Sequence, residues 1–446
     1  MGIYFFGTLP PSERRVLQDE LSRRLKAKRA SSTAGLGAAF VAAASPKLLP
    51  GEGRLALVLP ATVCTGPSWN QTRALIEQDF ILDMVIASHD PERWNFSEST
   101  SLSEVLLIAT RRSEEKRQTN HRIVHVNLWQ NPSGVLDAHR LANAITAVEP
   151  APLEKHGSAL LEVDGHHVGE LISIPEEVYA GRKWFGVQFA RADTLRVALR
   201  LLIEGEVWIP GETTTTTIPL CQLDQLGKVG PDRRDVWDGF ERTGTVTAYP
   251  MVENHDTEQR KRMVTEPDKY LAPLVEPRAG RHLRQAAQLW QQAGRLLVAE
   301  RLWLETTRVV AMDSSTPVLS NVWWPIKTDN EAYDKAIAVW LNCSLGLLTI
   351  LAQRTTTRGG WVAMKKADLK ELPILDLRLL TEDQLKSMSN LFDEMAESEF
   401  ERLPAMAVCP ARQALDDGIA NVLGLPDLGK LRHLIASEPV VSNRRL

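Results

Sequence analysis

Three apolar runs between Arg54 and Arg111 constrain the fold of this chain more than any other feature. They read RLALVLP from residue 54, ILDMVIAS from residue 81 and VLLIAT from residue 105. Near-continuous apolar runs of this length are typical of strands that are buried on both faces of a sheet. An amphipathic segment, Trp69 to Gln78, separates the first two runs and predicts a helix between them. A further strand at 123–128 and a helix from Asp137 to Val148 extend the pattern, which predicts an α/β fold.

The loop between the second and third runs, Asp90 to Ser103, is polar apart from Pro91 and two aromatic residues. These two residues are Trp94 and Phe96. Loops at sheet edges commonly carry functional residues, because a rigid scaffold positions them while leaving them accessible. The loop is therefore the first place where we expect a site.

Length and charge limit the classes of protein that need to be considered. At roughly 100–200 residues per domain, a chain of 446 residues predicts two to three domains. The hydrophobic content of 43% and the charged content of 24% are ordinary for a globular protein. The formal net charge is -4, so any interaction with nucleic acid must depend on local basic patches rather than on overall charge.

The cysteines and the hydropathy pattern predict a cytoplasmic protein without metal or membrane. The four cysteines lie far apart in the sequence and form no C-x-x-C pair, which favours buried free thiols over disulfides or a zinc site. The longest near-apolar window, Gly35 to Pro50, is interrupted by Ser45, Pro46 and Lys47 and is too short to span a bilayer.

The character of the sequence changes after the linker-like residues Pro150 to Pro152. Asp164 and Gly165 predict the turn of a hairpin. Residues 282–300 are predicted to form one amphipathic helix and residues 334–353 one buried helix, and a helical segment closes the chain. We predict three domains: an α/β domain at 1–150, an α+β domain at 151–376 and a helical C-terminal segment at 377–446.

Residues 33–112 resemble a known family. The order of a Gly-rich turn, RLALVLP, a segment containing Trp69, a strand, NFSEST and SEVLLIATR is similar to the second half of the catalytic domain of adenine-specific (N6) DNA methyltransferases. These are the large enzymes of restriction-modification and phage defence. The resemblance implies a partial, second-half Rossmann-like methyltransferase sheet.

The resemblance also implies a role for the polar loop. In that family, the loop before the last sheet hairpin carries an aromatic residue that contacts the flipped-out adenine, because a base inside a duplex cannot reach the methyl donor. Phe96 is the matching position, and Asn95 beside it is a second expected contact to the target base. The alternative is that Phe96 is a structural aromatic residue of the loop.

Residues 300–376 are similar to the end of a target-recognition domain. The segments VLSNVWWPI, AVWLNCSLGLLTIL and RGGWVAMKKADLKELPIL carry this resemblance. It implies that double-stranded DNA is a partner and that residues 160–375 read its sequence. The basic residues that we expect to contact DNA, with solvated side chains as the alternative, are Arg354, Arg358, Lys365, Lys366, Arg260, Lys261 and Arg262.

Two motifs that the family requires are not found in this sequence. One is a Gly-rich turn for S-adenosyl-L-methionine, and the other is the catalytic tetrapeptide, which is Asn or Asp, two prolines and an aromatic residue. Asn131-Pro132-Ser133-Gly134 has one proline and no aromatic residue. We therefore identify no catalytic and no cofactor-binding residue, and we expect the chain to be the C-terminal part of such an enzyme, inactive alone.

This interpretation implies a protein partner, or a missing N-terminal half, that carries the methyl-donor and catalytic motifs. S-adenosyl-L-methionine would then bind in a pocket supplied by that partner or half. One alternative is a non-catalytic nucleic-acid-binding or scaffolding subunit of a defence complex. Another is an orphan fragment without an independent function.

Overall fold

The computed structural model describes residues 10–27, 34–98, 100, 102–113 and 120–446. Over these residues the chain combines mixed sheets with many helices, so the fold is α/β, as predicted. The chain divides into two compact units. The first comprises Met1–Arg196, Thr355–Gly359 and Glu438–Leu446, and the second comprises Val197–Arg354 and Gly360–Ser437. The predicted division into three domains at residues 150 and 376 stays a prediction.

The secondary structure of the described residues is as follows. The helices are α1 (Pro11–Ala27), α2 (Leu36–Ala44), α3 (Thr62–Thr65), α4 (Asn70–Asp79), α5 (Val135–Ala147), α6 (Glu176–Tyr179), α7 (Ala192–Leu199), α8 (Arg233–Gly239), α9 (Ala286–Trp290), α10 (Glu331–Asn342), α11 (Ser344–Gln353), α12 (Lys366–Lys370), α13 (Glu382–Met395), α14 (Pro410–Leu423), α15 (Gly429–Ser437) and α16 (Pro439–Ser442). The strands are β1 (Arg54–Pro60), β2 (Phe80–Ser88), β3 (Glu104–Arg111), β4 (Arg122–Leu128), β5 (Ala151–Pro152), β6 (Ala159–Val163), β7 (His166–Pro175), β8 (Glu206–Trp208), β9 (Thr215–Thr217), β10 (Leu220–Gln222), β11 (Gly227–Val229), β12 (Phe240–Thr243), β13 (Pro250–Val252), β14 (Val264–Thr265), β15 (Lys269–Pro273), β16 (Gly294–Ala299), β17 (Arg301–Trp303), β18 (Ala311–Ser320), β19 (Trp323–Thr328), β20 (Thr355–Arg358), β21 (Trp361–Ala363) and β22 (Pro373–Leu375).

The first unit is built on a mixed sheet with the strand order β1-β3-β2-β4-β7-β5, and β6 pairs with β7. Strand β3 is antiparallel to both β1 and β2, so β1 and β2 are parallel to each other. Helix α4 therefore lies in a crossover connection between two parallel strands, which is the βαβ element expected of an α/β sheet. Strand β4 is parallel to β2 and continues the sheet. The predicted strands and the helix at Asp137 to Val148 are confirmed. The prediction that the run at 54–60 is buried on both faces is wrong, because β1 is an edge strand whose exposed and buried residues alternate.

Alternate residues of β4 face opposite sides of this sheet. Val126 and Leu128 join a buried apolar cluster with Ile86 of β2 and Leu141 of α5. His125 faces the other side, is fully buried, and lies with its ring centre 5.4 Å from that of Tyr179. Burial lowers the pKa of His125 to about 3, so the imidazole is neutral at physiological pH.

The hairpin predicted at Asp164 and Gly165 is confirmed, since these residues join β6 and β7. Their φ angles are 52° and 79°, and positive φ at both central residues is the geometry of the tight turn that matches the twist of paired strands. Glycine adopts this conformation without strain, and Asp tolerates it better than most residues do.

The second unit contains a larger mixed sheet with the strand order β11-β19-β16-β18-β13-β15-β12, and β14 pairs with β18. Its interior includes an apolar cluster to which Val236, Phe240, Met251, Leu271 and Leu289 contribute. The prediction of one helix over residues 282–300 is wrong, because only α9 is helical there and β16 begins at Gly294. Strand β16 is paired on both sides, by β18 and by β19.

The single buried helix predicted over residues 334–353 is two helices, α10 and α11, bent by 74° at Cys343. The helices separate there because Cys343 has extended backbone (ψ 168°) and its thiol accepts a hydrogen bond from the backbone N–H of Gly346. Among the described residues, no single helix is long and apolar enough to cross a membrane, although this bent pair passes that test by length and composition alone. The four cysteines are free, and Cys64, Cys343 and Cys409 are buried, as predicted, whereas Cys221 is only partly buried.

Glu170 of β7 should make the stability of the first unit depend on pH. This carboxyl is 4% exposed, and burial raises its pKa to about 7. A group whose pKa is raised on folding stabilises the folded state fully below its unfolded pKa, which is 4.5 for this carboxyl. This stabilisation is lost as the pH rises through the folded pKa of about 7. We expect the free energy of unfolding to fall by roughly 3 kcal/mol between pH 4 and pH 8 from this group alone.

Glu170→Gln keeps an oxygen that can accept the hydrogen bond from the backbone N–H of Ala192. Chemical denaturation of both proteins at several pH values measures the difference between them. The variant should lose this part of the pH dependence, whereas an identical pH dependence in both proteins would show that Glu170 does not titrate between pH 4 and pH 8.

Candidate functional site

Two parallel strands of the first unit end at the same edge of the sheet. Residue Ser88 at the end of β2 pairs with Leu128 at the end of β4, and the backbone N–H of His89 donates a 2.7 Å hydrogen bond to the carbonyl of Leu128. Residues 89–103 follow β2, and residues 129–134 follow β4. Ligands of open α/β sheets bind in the crevice outside the carboxyl ends of parallel strands. This edge, which we name the carboxyl edge, is therefore the candidate site.

Two carboxylates fix the shape of the loop at 89–103. The Glu104 carboxylate accepts hydrogen bonds from the backbone N–H groups of Phe96 (2.9 Å) and Ser97 (2.8 Å). The Asp90 carboxylate accepts one from Glu92 (3.1 Å) and one from Asn131 (3.1 Å), which joins the two loops of the carboxyl edge. Both carboxylates therefore hold the loop backbone in place.

Phe96 is half-buried and packs against the apolar cluster that contains Ile86, Val126 and Leu128. Its ring is therefore held by the sheet while part of it is accessible to solvent. Both N–H groups of the Asn95 side-chain amide bond within the loop, to the carbonyl of Thr100 (2.7 Å) and to that of Ser97. Asn95 thus belongs to the frame that positions Phe96.

Asn131 connects the two loops through its side chain. Its amide nitrogen donates to the carbonyls of Arg93 (2.6 Å) and Asn95 (3.2 Å), and its side-chain oxygen is buried. A cavity of about 180 Å³ adjoins it, lined in part by Pro132 and Asp137. Asn131 is the third residue after the predicted strand at 123–128. This position in the sequence could have identified it as a residue of the carboxyl edge.

Two distant segments complete the carboxyl edge. The Arg445 guanidinium makes a bidentate ion pair with Asp90 (3.0 and 3.1 Å) and also contacts Glu92 (2.8 Å). These hydrogen bonds raise the pKa of Arg445. Gly359 has φ +49°, and a Cβ there would lie 2.7 Å from the Trp94 indole nitrogen, so the indole packs directly on this backbone. Nothing in the local sequence indicates either contact.

The basic residues predicted to contact DNA differ in their accessibility. Arg358, next to Gly359, is exposed and belongs to the same unit as Phe96, so the structure brings these two predicted site residues into one compact unit. Lys365 is exposed in the second unit. The Lys366 amine donates a 2.7 Å hydrogen bond to the carbonyl of Gly230, and burial lowers its pKa. Arg354 is only 4% exposed and donates to the carbonyl of Leu351 (2.7 Å).

The basic run at 260–262 lies in the second unit on a cleft of about 640 Å³ that also contains seven carboxylates. Arg260 pairs with Asp268 at 2.6 Å. Arg262 pairs with Glu397 at 3.0 Å and with Glu399 at 3.2 Å, and Lys261 is half-buried. These ion pairs reduce the positive potential that the run could offer to a phosphate.

The described residues contain no group of three or more His, Cys, Asp or Glu side chains placed to hold a metal ion. The turns that follow β1, β2 and β4 at the carboxyl edge contain no pair of glycines; the turn after β4 contains Gly134 alone.

Comparison with known proteins adds little to this geometry. No protein-family model and no curated protein matches the sequence. Among solved structures, the chain is similar to the type IIG restriction endonuclease BpuSI over 92% of its own length, with 12% sequence identity and a TM-score of 0.34. The chain spans about half, 49%, of the length of that structure.

Proposed function

We propose that this chain is the DNA-recognition and target-base portion of an N6-adenine DNA methyltransferase that acts in restriction-modification or phage defence. The observation that carries the proposal is the carboxyl edge, where a hydrogen-bonded loop holds the half-buried Phe96 in the same compact unit as the exposed Arg358. Extrusion of a base from a duplex needs a flat apolar surface for the base and cations for the backbone phosphates.

In this proposal, Phe96 stacks on the extruded adenine, a contact worth roughly 1–3 kcal/mol per base. The hydrogen bonds that the Glu104 carboxylate accepts from the loop backbone, together with the packing against the sheet, hold the ring before DNA arrives, so little conformational entropy is lost on binding. Asn95 acts through the loop by positioning Phe96. Arg358 and Lys365 contact phosphates and fix the register of the duplex.

The methyl donor and the catalytic tetrapeptide come from a protein partner in this proposal. The turns after β1, β2 and β4 contain no pair of glycines, and the Asn131 amide is bonded to loop carbonyls. We therefore derive no chemical step from this chain alone. A neighbouring gene that encodes a Gly-rich donor turn and the tetrapeptide would support the proposal at little cost.

Duplex binding by the isolated chain tests the recognition role. Neutralising one phosphate contributes about -0.9 to the slope of log affinity against log salt concentration. Arg358→Ala should therefore weaken binding to all sequences and make this slope shallower by about 1. Fluorescence anisotropy titrations at several salt concentrations measure both quantities.

Arg182→Ala provides the matched control, because Arg182 is also an exposed arginine of the first unit and follows helix α6. Its removal should leave the slope unchanged. If Arg358→Ala and Arg182→Ala change the slope equally, or if the chain does not bind duplex DNA at low salt, the recognition role proposed for Arg358 is wrong.

A second candidate is a non-catalytic scaffolding subunit of a defence complex. The observation that favours it is the ion-paired state of Arg260 and Arg262, together with the net charge of -4. The two candidates differ in their dependence on Phe96. A scaffold would show no effect of substituting Phe96 in any assay of base extrusion.

A further inference from the structure

A cavity of about 330 Å³ lies in the first unit near the amino-terminal ends of β2 and β4. Phe80 and Leu82 at the start of β2 and Ile123 at the start of β4 line it, so it lies toward the edge of the sheet opposite to the Phe96 loop. Its volume falls in the range of pockets that bind small molecules. The proposed function makes no use of this cavity.

The floor of the cavity is aromatic. Phe80, Tyr179 and Trp184 contribute to its wall and are each at most 1% exposed, so their rings are fixed by the packing of the unit. Aromatic faces carry negative partial charge and attract cations, most strongly where water is excluded. Phe80 already interacts with a cation in this way, because the Arg111 guanidinium lies 5.5 Å from its ring centre.

The rim of the cavity carries excess negative charge. Glu77, Glu176 and Glu177 contribute carboxylates, whereas Arg112 contributes a cation that already pairs with Glu176. Arg112 also donates to the backbone carbonyl of Glu77 at 3.1 Å, so it is held at the side of the cavity. The Glu77 carboxylate accepts a 3.1 Å hydrogen bond from the backbone N–H of Gly181, which fixes one carboxylate at the rim.

His121 at the wall of the cavity is held by a hydrogen bond to β2. Its Nε2 atom lies 2.9 Å from the carbonyl oxygen of Leu82, and a carbonyl can only accept, so Nε2 carries the proton. The combination of a fixed aromatic floor with a carboxylate rim is complementary to a positive charge attached to an apolar body.

We propose that this cavity binds a small organic cation, an ammonium or guanidinium group on an aromatic or branched apolar body. The apolar body contacts Phe80, Tyr179 and Trp184, and the charged group lies between the aromatic faces and the carboxylates of Glu77 and Glu177. This inference is independent of the role proposed for the carboxyl edge.

The test uses three small probes of similar shape and different charge. These are benzylammonium, benzyl alcohol and phenylacetate, titrated into the full chain at pH 7 and followed by ligand-observed NMR. Benzylammonium should bind about tenfold more tightly than benzyl alcohol, since a cation–aromatic contact at a desolvated site is worth about 1–2 kcal/mol. Phenylacetate should bind most weakly because the rim repels it.

Glu177→Gln removes one rim charge without changing the size of the side chain, and it should weaken benzylammonium binding about threefold while leaving benzyl alcohol unaffected. Glu162→Gln is the control, because Glu162 is an exposed glutamate on β6 that does not line the cavity. Equal affinities for the three probes, no binding of benzylammonium, or equal effects of the two substitutions would each overturn the proposal.

Discussion

Phe96→Ala is expected to slow methyl transfer by about 5- to 150-fold in an assembly of this chain with the partner that supplies the donor and the catalytic motif. The range follows from a stacking contact of about 1–3 kcal/mol between the ring and the extruded adenine. Duplex binding should change by less than about threefold, because phosphate contacts supply most of the affinity. The two quantities are measured by tritiated methyl transfer and by anisotropy titration.

A structural role for Phe96 predicts a different result, because the ring also packs against Ile86 and Leu128. Phe96→Leu separates the two roles, since leucine retains an apolar contact with the sheet but has no flat face for stacking. If the ring contacts the base, Phe96→Leu should remain as slow as Phe96→Ala. Recovery of activity by Phe96→Leu, or equal losses in transfer and duplex binding, would instead identify Phe96 as a structural residue.

Fluorescence of a duplex with 2-aminopurine at the target position gives an independent measurement. This base analogue becomes brighter when it leaves the stack, and stacking on an aromatic ring quenches it again. The wild-type assembly should therefore give a smaller rise in fluorescence than the Phe96→Leu assembly. A larger rise with the wild-type protein would contradict direct stacking on Phe96.

The strands of the first unit could be predicted because their pattern is local. Near-continuous apolar residues mark β2 and β4, which are covered on both faces, and the Asp164-Gly165 turn is specified by its own backbone requirement. Each of these signals depends on consecutive residues. The order of the strands in the sheet, with β3 between β1 and β2, is set by pairing over longer distances.

Residues 282–300 show why a periodic pattern can mislead. Leu289, Leu296 and Leu297 lie at spacings that fit one helical face, but the last two belong to β16, which pairs on both sides within a sheet. Gly294 at the start of β16 lies so close to the backbone of Ile326 that any Cβ would overlap it. Tertiary pairing overrides helical propensity there, and no local signal reports it.

The bend after Asn342 has a physical cause that the sequence contains but that only the fold explains. The Asn342 side-chain nitrogen donates to the carbonyl of Ala311 (2.7 Å), and its side-chain oxygen accepts from the N–H of Val310 (2.8 Å). The end of α10 is therefore fixed to the first residue of β18 and to Val310, which precedes that strand. A Cβ at Gly346 would lie 1.9 Å from the carbonyl oxygen of Trp340, which makes glycine necessary for the close approach of the two helices.

The loop at 89–103 stands out in the sequence because it carries two aromatic residues in polar surroundings, and the role of Phe96 in it stays a prediction. The contact of Arg445 with Asp90 could not be predicted, because the two residues are 355 positions apart in the sequence. Arg262 looked available for DNA because its carboxylate partners, Glu397 and Glu399, are more than a hundred residues distant in the sequence. Charge balance of this kind depends on the folded structure.

A buried network in the second unit links the same helix pair to α14. Asp416 is fully buried and accepts hydrogen bonds from the backbone N–H of Ser344 (2.8 Å), from its hydroxyl (2.6 Å) and from Arg432 (2.8 Å). Ser344 is the first residue of α11, so the carboxylate also lies at the positive end of that helix. Every partner of Asp416 is itself at most 5% exposed.

Asp416→Ala should therefore lower the free energy of unfolding of the second unit by about 3–5 kcal/mol, because it leaves the guanidinium of Arg432 buried without its counter-ion. Asp417→Ala, at the adjacent exposed position, should change it by less than about 0.5 kcal/mol. Urea denaturation of both variants measures the difference.

Removal of both charges in Asp416→Ala with Arg432→Met should recover part of the loss, since an apolar pair carries no uncompensated charge. A loss below about 1 kcal/mol in Asp416→Ala would show that water reaches Arg432 and that the network contributes little to stability.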